Sequence, residues 1–486
     1  MRRVLALTQS LLLAGMVACS QDRITGDPKS LTNQAPRSDV AASSVATATV
    51  IGPIAATALP GDPSHGYPFF STNVDLGSHG YVEEEFFIEG TANRYTLPDR
   101  ATASVIDGGH AYRTRMVVRR PASPADFNGT VVMEWQNEFV GFDFDALWLT
   151  SSDHLMRRGY AWIGLSNQAI GVRLSPYSLR SWSPARYGTL DVTDGGIFTQ
   201  DELSYDIFSQ AAQAVREPQE IDPMGGLHIS RIVAFGVSTG ADYLARYYNS
   251  IQPLAGVIDG FLLASGGGLL RTELSAPVLK FYTETDLFGT DTPQAPLRQP
   301  SFDHLRRWEI AGASHVPYGF MQALLPLRVR DLGPWSPPIC SKPSQSRIPL
   351  QYALNAALDH MVDWVKRGIA PPAAPDIEVD LGTATILRDA DGNALGGIRL
   401  SQHSVPTATN TGVNGPATKP WCLVMGSYVP FTTERLDELY PTHQDYLSKV
   451  IDATHAAERA GYIVGHDAAE TIAAAARSDV GRRVHP

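Results

Sequence analysis

Residues 231–240 read Arg-Ile-Val-Ala-Phe-Gly-Val-Ser-Thr-Gly, and this stretch decides the fold class. Its first five residues are mostly apolar, as in a buried strand, and the residues after Gly240 are typical of a helix. The G-x-S-x-G pattern at 236–240 therefore lies between a strand and a helix. A glycine on each side permits a sharp turn that exposes the Ser238 hydroxyl at a helix N-terminus, where negative charge is favoured. In this context Ser238 is predicted to be a nucleophile rather than a structural serine.

A histidine is required next, because a serine hydroxyl is a poor nucleophile until a base takes its proton. After a turn of this kind, the acid and then the histidine follow the serine along the chain. His315 lies in a loop of small residues directly after the strand predicted at 305–311. The other histidines after Ser238 precede that strand, lie in a helix or fall in the C-terminal region. His315 is therefore the predicted general base, since imidazole changes charge near neutral pH.

Two carboxylates are candidates for the acid that orients this histidine. Glu284 and Asp286 both follow the strand predicted at 277–283. Asp286 occupies the position expected for the acid, and Glu284, two residues earlier, is the alternative. The carboxylate that does not orient the histidine is expected to accept hydrogen bonds from nearby N–H groups.

The anionic intermediate of such a reaction needs two hydrogen-bond donors. The first is predicted to be the backbone N–H of Thr239, which directly follows the nucleophile. The second should come from the loop after the strand at 129–135, and the register places it near Asn137.

Strands and helices alternate along the chain on both sides of Ser238. This order predicts an α/β fold with a mostly parallel central sheet, helices on both faces, and reactive groups at the carboxyl ends of the strands. The core is predicted at 51–375, with long lid-like insertions at 166–201 and 316–349. Residues 376–486 are predicted to form a C-terminal appendage packed on the core.

The N-terminus predicts export. Two arginines precede a short apolar run that ends in Ala18-Cys19, which is typical of a secretory signal peptide over residues 1–19. Small residues before Cys19 resemble a bacterial lipobox, so Cys19 is expected to carry lipid, with ordinary cleavage as the alternative. Residues 20–50 are polar and are predicted to be a flexible tether.

Cys340 and Cys422 remain if Cys19 carries lipid. Two cysteines in an oxidising compartment are predicted to form a disulfide, and two buried free thiols are the alternative.

Composition limits the partners. The net charge of −11 and the lack of a basic run argue against nucleic acid. No His or Cys cluster has zinc spacing, and Asp389, Asp391 and Asn393 form only part of a calcium loop, so a turn is expected there. Neither a metal nor a cofactor is expected. A membrane is expected as a partner only through the N-terminal lipid anchor.

The chain resembles the alpha/beta hydrolase domain family of large bacterial and fungal proteins, and the resemblance extends from about residue 81 to near the C-terminus. The matching stretches are 127–137, 158–162, 186–190, 205–210, 236–240, 283–286, 311–315, 364–372 and 392–399. The resemblance implies an α/β-hydrolase fold and a serine hydrolase activity on esters.

The residues and the resemblance together predict an exported esterase that cleaves a small or polymeric carboxylic ester. Ser238, His315 and Asp286 or Glu284 would form the catalytic triad. Aromatic side chains of the two insertions, such as Trp182, Tyr187, Tyr318 and Phe320, would line an apolar pocket or pack the insertions down. The alternatives are a lactonase, peptidase or acyltransferase with the same triad, or a surface lipoprotein that binds without catalysis.

Overall fold

A nine-stranded sheet forms the centre of the computed structural model, which describes residues 45–482. The strands are β1 (Thr49–Ile51), β2 (Tyr81–Tyr95), β3 (Val105–Pro121), β4 (Thr130–Trp135), β5 (Ala161–Ser166), β6 (Arg231–Val237), β7 (Gly260–Ala264), β8 (Val278–Thr283) and β9 (Leu305–Ile310). Their order across the sheet is β1-β2-β3-β5-β4-β6-β7-β8-β9. Strands β1, β2 and β3 pair antiparallel, and β3 pairs antiparallel with β5. From there across the sheet, β5, β4, β6, β7, β8 and β9 are parallel to their neighbours. The carboxyl ends of β4, β6, β8 and β9 therefore lie at one edge of the sheet.

Helices cover the parallel strands, and four more short strands follow the sheet. The helices are α1 (Ala146–Arg157), α2 (Leu179–Trp182), α3 (Pro184–Tyr187), α4 (Ser204–Arg216), α5 (Thr239–Arg246), α6 (Gln252–Ala255), α7 (Glu284–Phe288), α8 (Tyr318–Leu332), α9 (Leu350–Arg367), α10 (Ser401–Ser404), α11 (Pro420–Met425), α12 (Thr433–Leu439), α13 (His443–Arg459) and α14 (Gly465–Arg477). Strand β10 (Val379–Asp380) pairs with β11 (Thr385–Ile386), and β12 (Ala408–Thr411) with β13 (Ser427–Pro430). In residues 45–482, no helix combines the length and the apolar character needed to cross a bilayer.

The structure differs from the predicted organisation at two places. The C-terminal bound of the predicted tether at 20–50 is too late in the chain, because Ala48 and Val50 are buried and β1 pairs with β2. The predicted insertion at 316–349 is not only a loop, because it contains the helix α8, which tolerates Pro326 in its interior. The predicted signal peptide at 1–19, including Cys19, lies outside the described residues.

The turn between β6 and α5 depends on close backbone packing. A methyl group on Gly236 would lie 2.6 Å from the carbonyl of Gly240, and one on Gly240 would lie 2.6 Å from the Trp135 carbonyl oxygen. These distances are too short for a side chain. Glycine at 236 therefore lets the turn close on itself, and glycine at 240 lets the turn approach the end of β4.

The C-terminal region joins the edge of the sheet beyond β9. Ile398 donates its N–H to the Glu309 carbonyl at 2.7 Å and accepts the N–H of Ala311 at 3.0 Å. The same region contacts the buried carboxylate of Glu284. Arg388 Nη2 and the N–H of Gly412 donate to Glu284 Oε1 at 2.6 and 3.0 Å.

Cys340 and Cys422 form a disulfide in the structure, with their Cα atoms 5.5 Å apart. Cys340 lies in the loop after α8, and Cys422 lies in α11. The bond therefore joins the second insertion to the C-terminal region.

Gly240→Ala should disturb the turn because the added methyl would press on the Trp135 carbonyl oxygen. We expect the free energy of unfolding, measured by urea denaturation, to fall by about 1–3 kcal/mol, as at an overpacked core position. Gly319→Ala is the matched control, because its methyl would have a single neighbour within 4 Å, Gln351 Oε1 at 3.7 Å. Equal effects of the two substitutions would contradict the steric explanation.

Arg388→Met should leave the buried Glu284 carboxylate without its guanidinium partner. We expect the free energy of unfolding to fall by about 3 kcal/mol, since an uncompensated buried charge is costly. Arg399→Met, at an exposed position of the same segment, should change it by less than about 0.5 kcal/mol. The proposed role of the ion pair is wrong if both variants unfold at the same urea concentration as the wild type.

Candidate active site

Ser238 lies at the turn between β6 and α5 in a backbone conformation that side chains rarely adopt. Its φ is 55° and its ψ is −122°. Its N–H donates to the Ala264 carbonyl at 2.9 Å, and its carbonyl accepts the Asp242 N–H at 3.1 Å. Hydrogen bonds on both sides thus hold a strained residue whose side chain lines a cavity, which is common at functional sites.

His315 and Asp286 contact each other at the ends of β9 and β8. His315 Nδ1 lies 2.6 Å from Asp286 Oδ1, and Asp286 is completely buried. The second oxygen, Asp286 Oδ2, accepts the N–H and the hydroxyl of Thr283 at 2.7 and 2.8 Å. The backbone N–H of His315 donates to Thr285 Oγ1 at 3.1 Å. The carboxylate orients the ring through Nδ1, which leaves Nε2 available for proton transfer.

Glu284, the alternative acid, has other partners in this structure. In addition to Arg388 and the N–H of Gly412, it accepts the N–H of Gly312 at 3.0 Å. Glu284 therefore joins the loop that leads to His315 to the C-terminal region, and Asp286 is the carboxylate that meets the histidine. The prediction that the other carboxylate would accept nearby N–H groups matches this arrangement.

Thr239 and Asn137 line the same cavity as Ser238 and His315. Thr239 is the first residue of α5, and its N–H makes no hydrogen bond to a group of residues 45–482. The side chain of Asn137 donates to the Val237 carbonyl at 3.0 Å and accepts the Phe139 N–H at 2.9 Å. Asn137 thus joins the loop after β4 to the turn that carries Ser238.

The cavity has a volume of about 560 Å³ and a mostly apolar wall. The wall is formed by aromatic and aliphatic side chains of the loop after β4, of α8 and its following loop, and of α11. They include Phe139, Val140, Phe142, Phe144, Phe320, Met321, Leu324, Trp335, Trp421, Leu423 and Val424. The sequence analysis did not identify the wall residues at 139–144 and in α11. For 139–144, the run of aromatic residues directly after the core strand β4 was a signal that could have found them.

Four aromatic residues of the insertions were expected either to line a pocket or to pack the insertions down, and of these four Phe320 lines the cavity. Trp182 stacks on His65 with ring centroids 4.2 Å apart, and its Nε1 donates to the Asp331 carbonyl. The Tyr187 hydroxyl donates to the buried Glu85 at 2.6 Å. Tyr318 packs against the Arg347 guanidinium. Three of these side chains therefore hold their segments to the core.

Asp242 and Lys280 are two further ionisable groups of this region, and their charges interact. Asp242, one helical turn after Ser238, lines the cavity and accepts the Gly267 N–H at 2.7 Å, and burial raises its pKa. Burial also lowers the pKa of Lys280 to about 7. Within residues 45–482, one group of three potential metal ligands occurs, His466, Asp467 and Glu470 on α14, and it does not line the cavity.

A search of curated proteins finds no match to this chain. Three solved structures are similar over part of it. A structure named as a dienelactone hydrolase, from Klebsiella pneumoniae subsp. pneumoniae MGH 78578, is 14% identical over 43% of this chain and 76% of its own, with a TM-score of 0.22. Esterase Est22 is 14% identical over 44% and 67%, with a TM-score of 0.27. A structure named as an acetyl xylan esterase, from Bacteroides fragilis NCTC 9343, is 12% identical over 42% and 59%, with a TM-score of 0.23.

The family described as alpha/beta hydrolase domain matches residues 50–473, which is most of the chain. This match confirms the resemblance stated from the sequence, and together with the mostly parallel sheet it confirms the α/β-hydrolase fold. The chain belongs to the alpha/beta hydrolase domain family.

Proposed function

We propose that this hydrolase cleaves carboxylic esters with Ser238 as nucleophile, His315 as general base and Asp286 as the acid that orients it. One observation carries the proposal. Ser238, held on a strained turn, and His315, held by the buried Asp286, line one cavity. A serine, a histidine and a buried carboxylate in this relation are the parts of a Ser-His-acid triad.

The proposed reaction begins when Ser238 Oγ attacks the ester carbonyl and His315 Nε2 takes the hydroxyl proton. The N–H of Thr239 and a donor near Asn137 would stabilise the oxyanion, each by about 3 kcal/mol of barrier. The tetrahedral intermediate then loses the alcohol, which His315 protonates, and an acyl-enzyme remains. Water activated by His315 attacks this ester and releases the acid, while Asp286 stabilises the imidazolium. None of these steps requires a metal or a cofactor.

The wall of the cavity supports an ester with an apolar acyl or alcohol part. The apolar side chains come from three separate segments, and a cavity of about 560 Å³ is within the range of small-molecule sites. Burial of apolar surface would contribute about 25 cal/mol per Å² to binding. The substrate can be a free small ester or one end of a polymer, because the chemistry needs only the reacting ester in the cavity.

Export is part of the proposal. The disulfide between Cys340 and Cys422 supports an oxidising compartment, since such bonds are rare where thiols are kept reduced. The signal peptide and the lipid on Cys19 are predictions from the sequence alone. We propose a membrane-anchored lipoprotein, or a periplasmic or secreted protein if Cys19 is unmodified.

Ser238→Ala should abolish hydrolysis of p-nitrophenyl esters of graded acyl length, because it removes the nucleophile. We expect kcat to fall by about 10⁶-fold, as when a triad serine is removed. A fluorophosphonate probe should label the wild type and not the variant. No labelling of the folded wild type would favour a binding lipoprotein. Labelling without ester hydrolysis would favour a lactonase, peptidase or acyltransferase.

Asp286→Asn should lower kcat by about 10³–10⁴-fold while the protein stays folded, because the amide no longer fixes the histidine tautomer. Glu284→Gln is the matched control on the same turn. It should lower the free energy of unfolding, because it weakens the pair with Arg388, and should lower the kcat of the folded protein far less. A larger loss of kcat in Glu284→Gln than in Asp286→Asn would reverse the assignment of the two carboxylates.

A further inference from the structure

The loop after β4 is a tight turn with two different faces. Its ends meet where the Phe144 N–H donates to the Asn137 carbonyl at 3.3 Å, and the Gly141 N–H donates to the Glu138 carbonyl at 2.8 Å. Phe139, Phe142 and Phe144 line the cavity. Glu138 and Asp143 are buried, with at most 1% of their surface exposed. The loop thus combines an apolar wall with two buried carboxyl groups.

These two carboxyl groups are close together and incompletely bonded. Glu138 Oε2 accepts the Gly171 N–H at 2.9 Å, and Asp143 Oδ2 accepts the Ser166 hydroxyl. Their other oxygens, Glu138 Oε1 and Asp143 Oδ1, are buried without a donor in the described part of the chain. A methyl placed on Gly171 would lie 2.2 Å from Asp143 Oδ1 and 2.6 Å from the Glu138 carboxyl carbon. Both groups therefore border the same small space.

Two buried carboxylates that border one small space cannot both carry a charge at low cost. Burial, and next to it the neighbouring Asp143, raise the pKa of Glu138 well above its ordinary value. Asp201 before α4 faces Glu138 as a further negative charge, and Asp145 at the start of α1 faces Asp143. Arg115 on β3 is the cation that favours the charge on Asp143, and Tyr243 of α5 interacts electrostatically with Glu138.

We propose that Glu138 and Asp143 share one proton, and that this hydrogen bond positions the loop that carries Asn137 and the aromatic wall of the cavity. The inference rests on the proposed function, because Asn137 marks the second oxyanion donor there. Glu138 and Asp143 are positioning residues, since neither lines the cavity. Removal of the shared proton places two charges side by side, so the loop should open and the donor near Asn137 should move away from the oxyanion.

The pair also makes stability depend on pH with a definite sign. The pKa of Glu138 is raised in the folded state, so the folded protein keeps a proton that the unfolded chain releases. The free energy of unfolding should therefore fall as the pH rises from about 4, the ordinary range of glutamate, toward the raised pKa. This loss of stability at higher pH arises from the Glu138–Asp143 pair and does not depend on the triad.

The test compares wild type, Glu138→Gln and Glu138→Ala. Glutamine can still donate a hydrogen bond to Asp143 and cannot ionise. The kcat of the wild type for a p-nitrophenyl ester should decrease on the basic side of its pH profile, and in Glu138→Gln this decrease should be absent or begin at higher pH. Glu138→Ala should lower kcat by about 10²-fold at every pH, the typical cost of a catalytic group displaced by about 1 Å. An unchanged basic limb in Glu138→Gln would overturn the proposal.

Thermal unfolding from about pH 5 to about pH 10, which is about two units above the usual range of maximal stability, separates this inference from the proposed function. The melting temperature of the wild type should fall with rising pH more steeply than that of Glu138→Gln, whether or not the protein hydrolyses esters. Parallel curves would also overturn the shared proton. Glu134→Gln is the matched control, because Glu134 is buried on β4 with a raised pKa and lies outside the cavity. Glu134→Gln should make the melting temperature less dependent on pH and should leave the decrease of kcat at high pH unchanged.

Discussion

The buried carboxylate of Glu284 is the constraint on which the arrangement of the site depends. A buried charge is tolerated only when it is paired and hydrogen-bonded, and Glu284 meets this condition with three groups from two parts of the chain. Arg388 and Gly412 come from the C-terminal region, and Gly312 comes from the loop before His315. The same turn carries Asp286. The hydrogen bonds that satisfy Glu284 therefore also connect the turn of Asp286 to the loop that leads to His315.

Residues 376–482 consequently do more than cover the core. They extend the sheet edge through Ile398, supply the cation for Glu284, and form part of the cavity wall through α11. A methyl group on Gly412 would lie 2.4 Å from the Thr285 nitrogen and 2.9 Å from the Ala313 carbonyl oxygen, so this segment is fitted closely between the two turns. The C-terminal region is part of the site's scaffold, which the description as an appendage did not capture.

The sequence predicted what depends on local pattern. The strands, the turn at Ser238 and the positions of the candidate acid and histidine follow from periodicity, glycine spacing and chain order, and the structure places them at one edge of the sheet. It could not choose between Glu284 and Asp286, because the choice depends on Arg388 and Gly412, more than a hundred residues away. The part of the cavity wall in α11 was missed for the same reason, whereas the aromatic run at 139–144 was a local signal that was not used. Helix α8 was hidden by Pro326.

The disulfide has a consequence for how a ligand enters. Cys422 belongs to α11, whose Trp421, Leu423 and Val424 line the cavity, and Cys340 follows the α8 segment that supplies the facing side chains. The Trp335 and Trp421 rings also meet edge to face, with centroids 5.9 Å apart. The disulfide thus joins two walls of the cavity covalently, although its two cysteines are 82 residues apart in the chain. Once the protein is oxidised, the disulfide therefore limits how far these two walls of the cavity can separate.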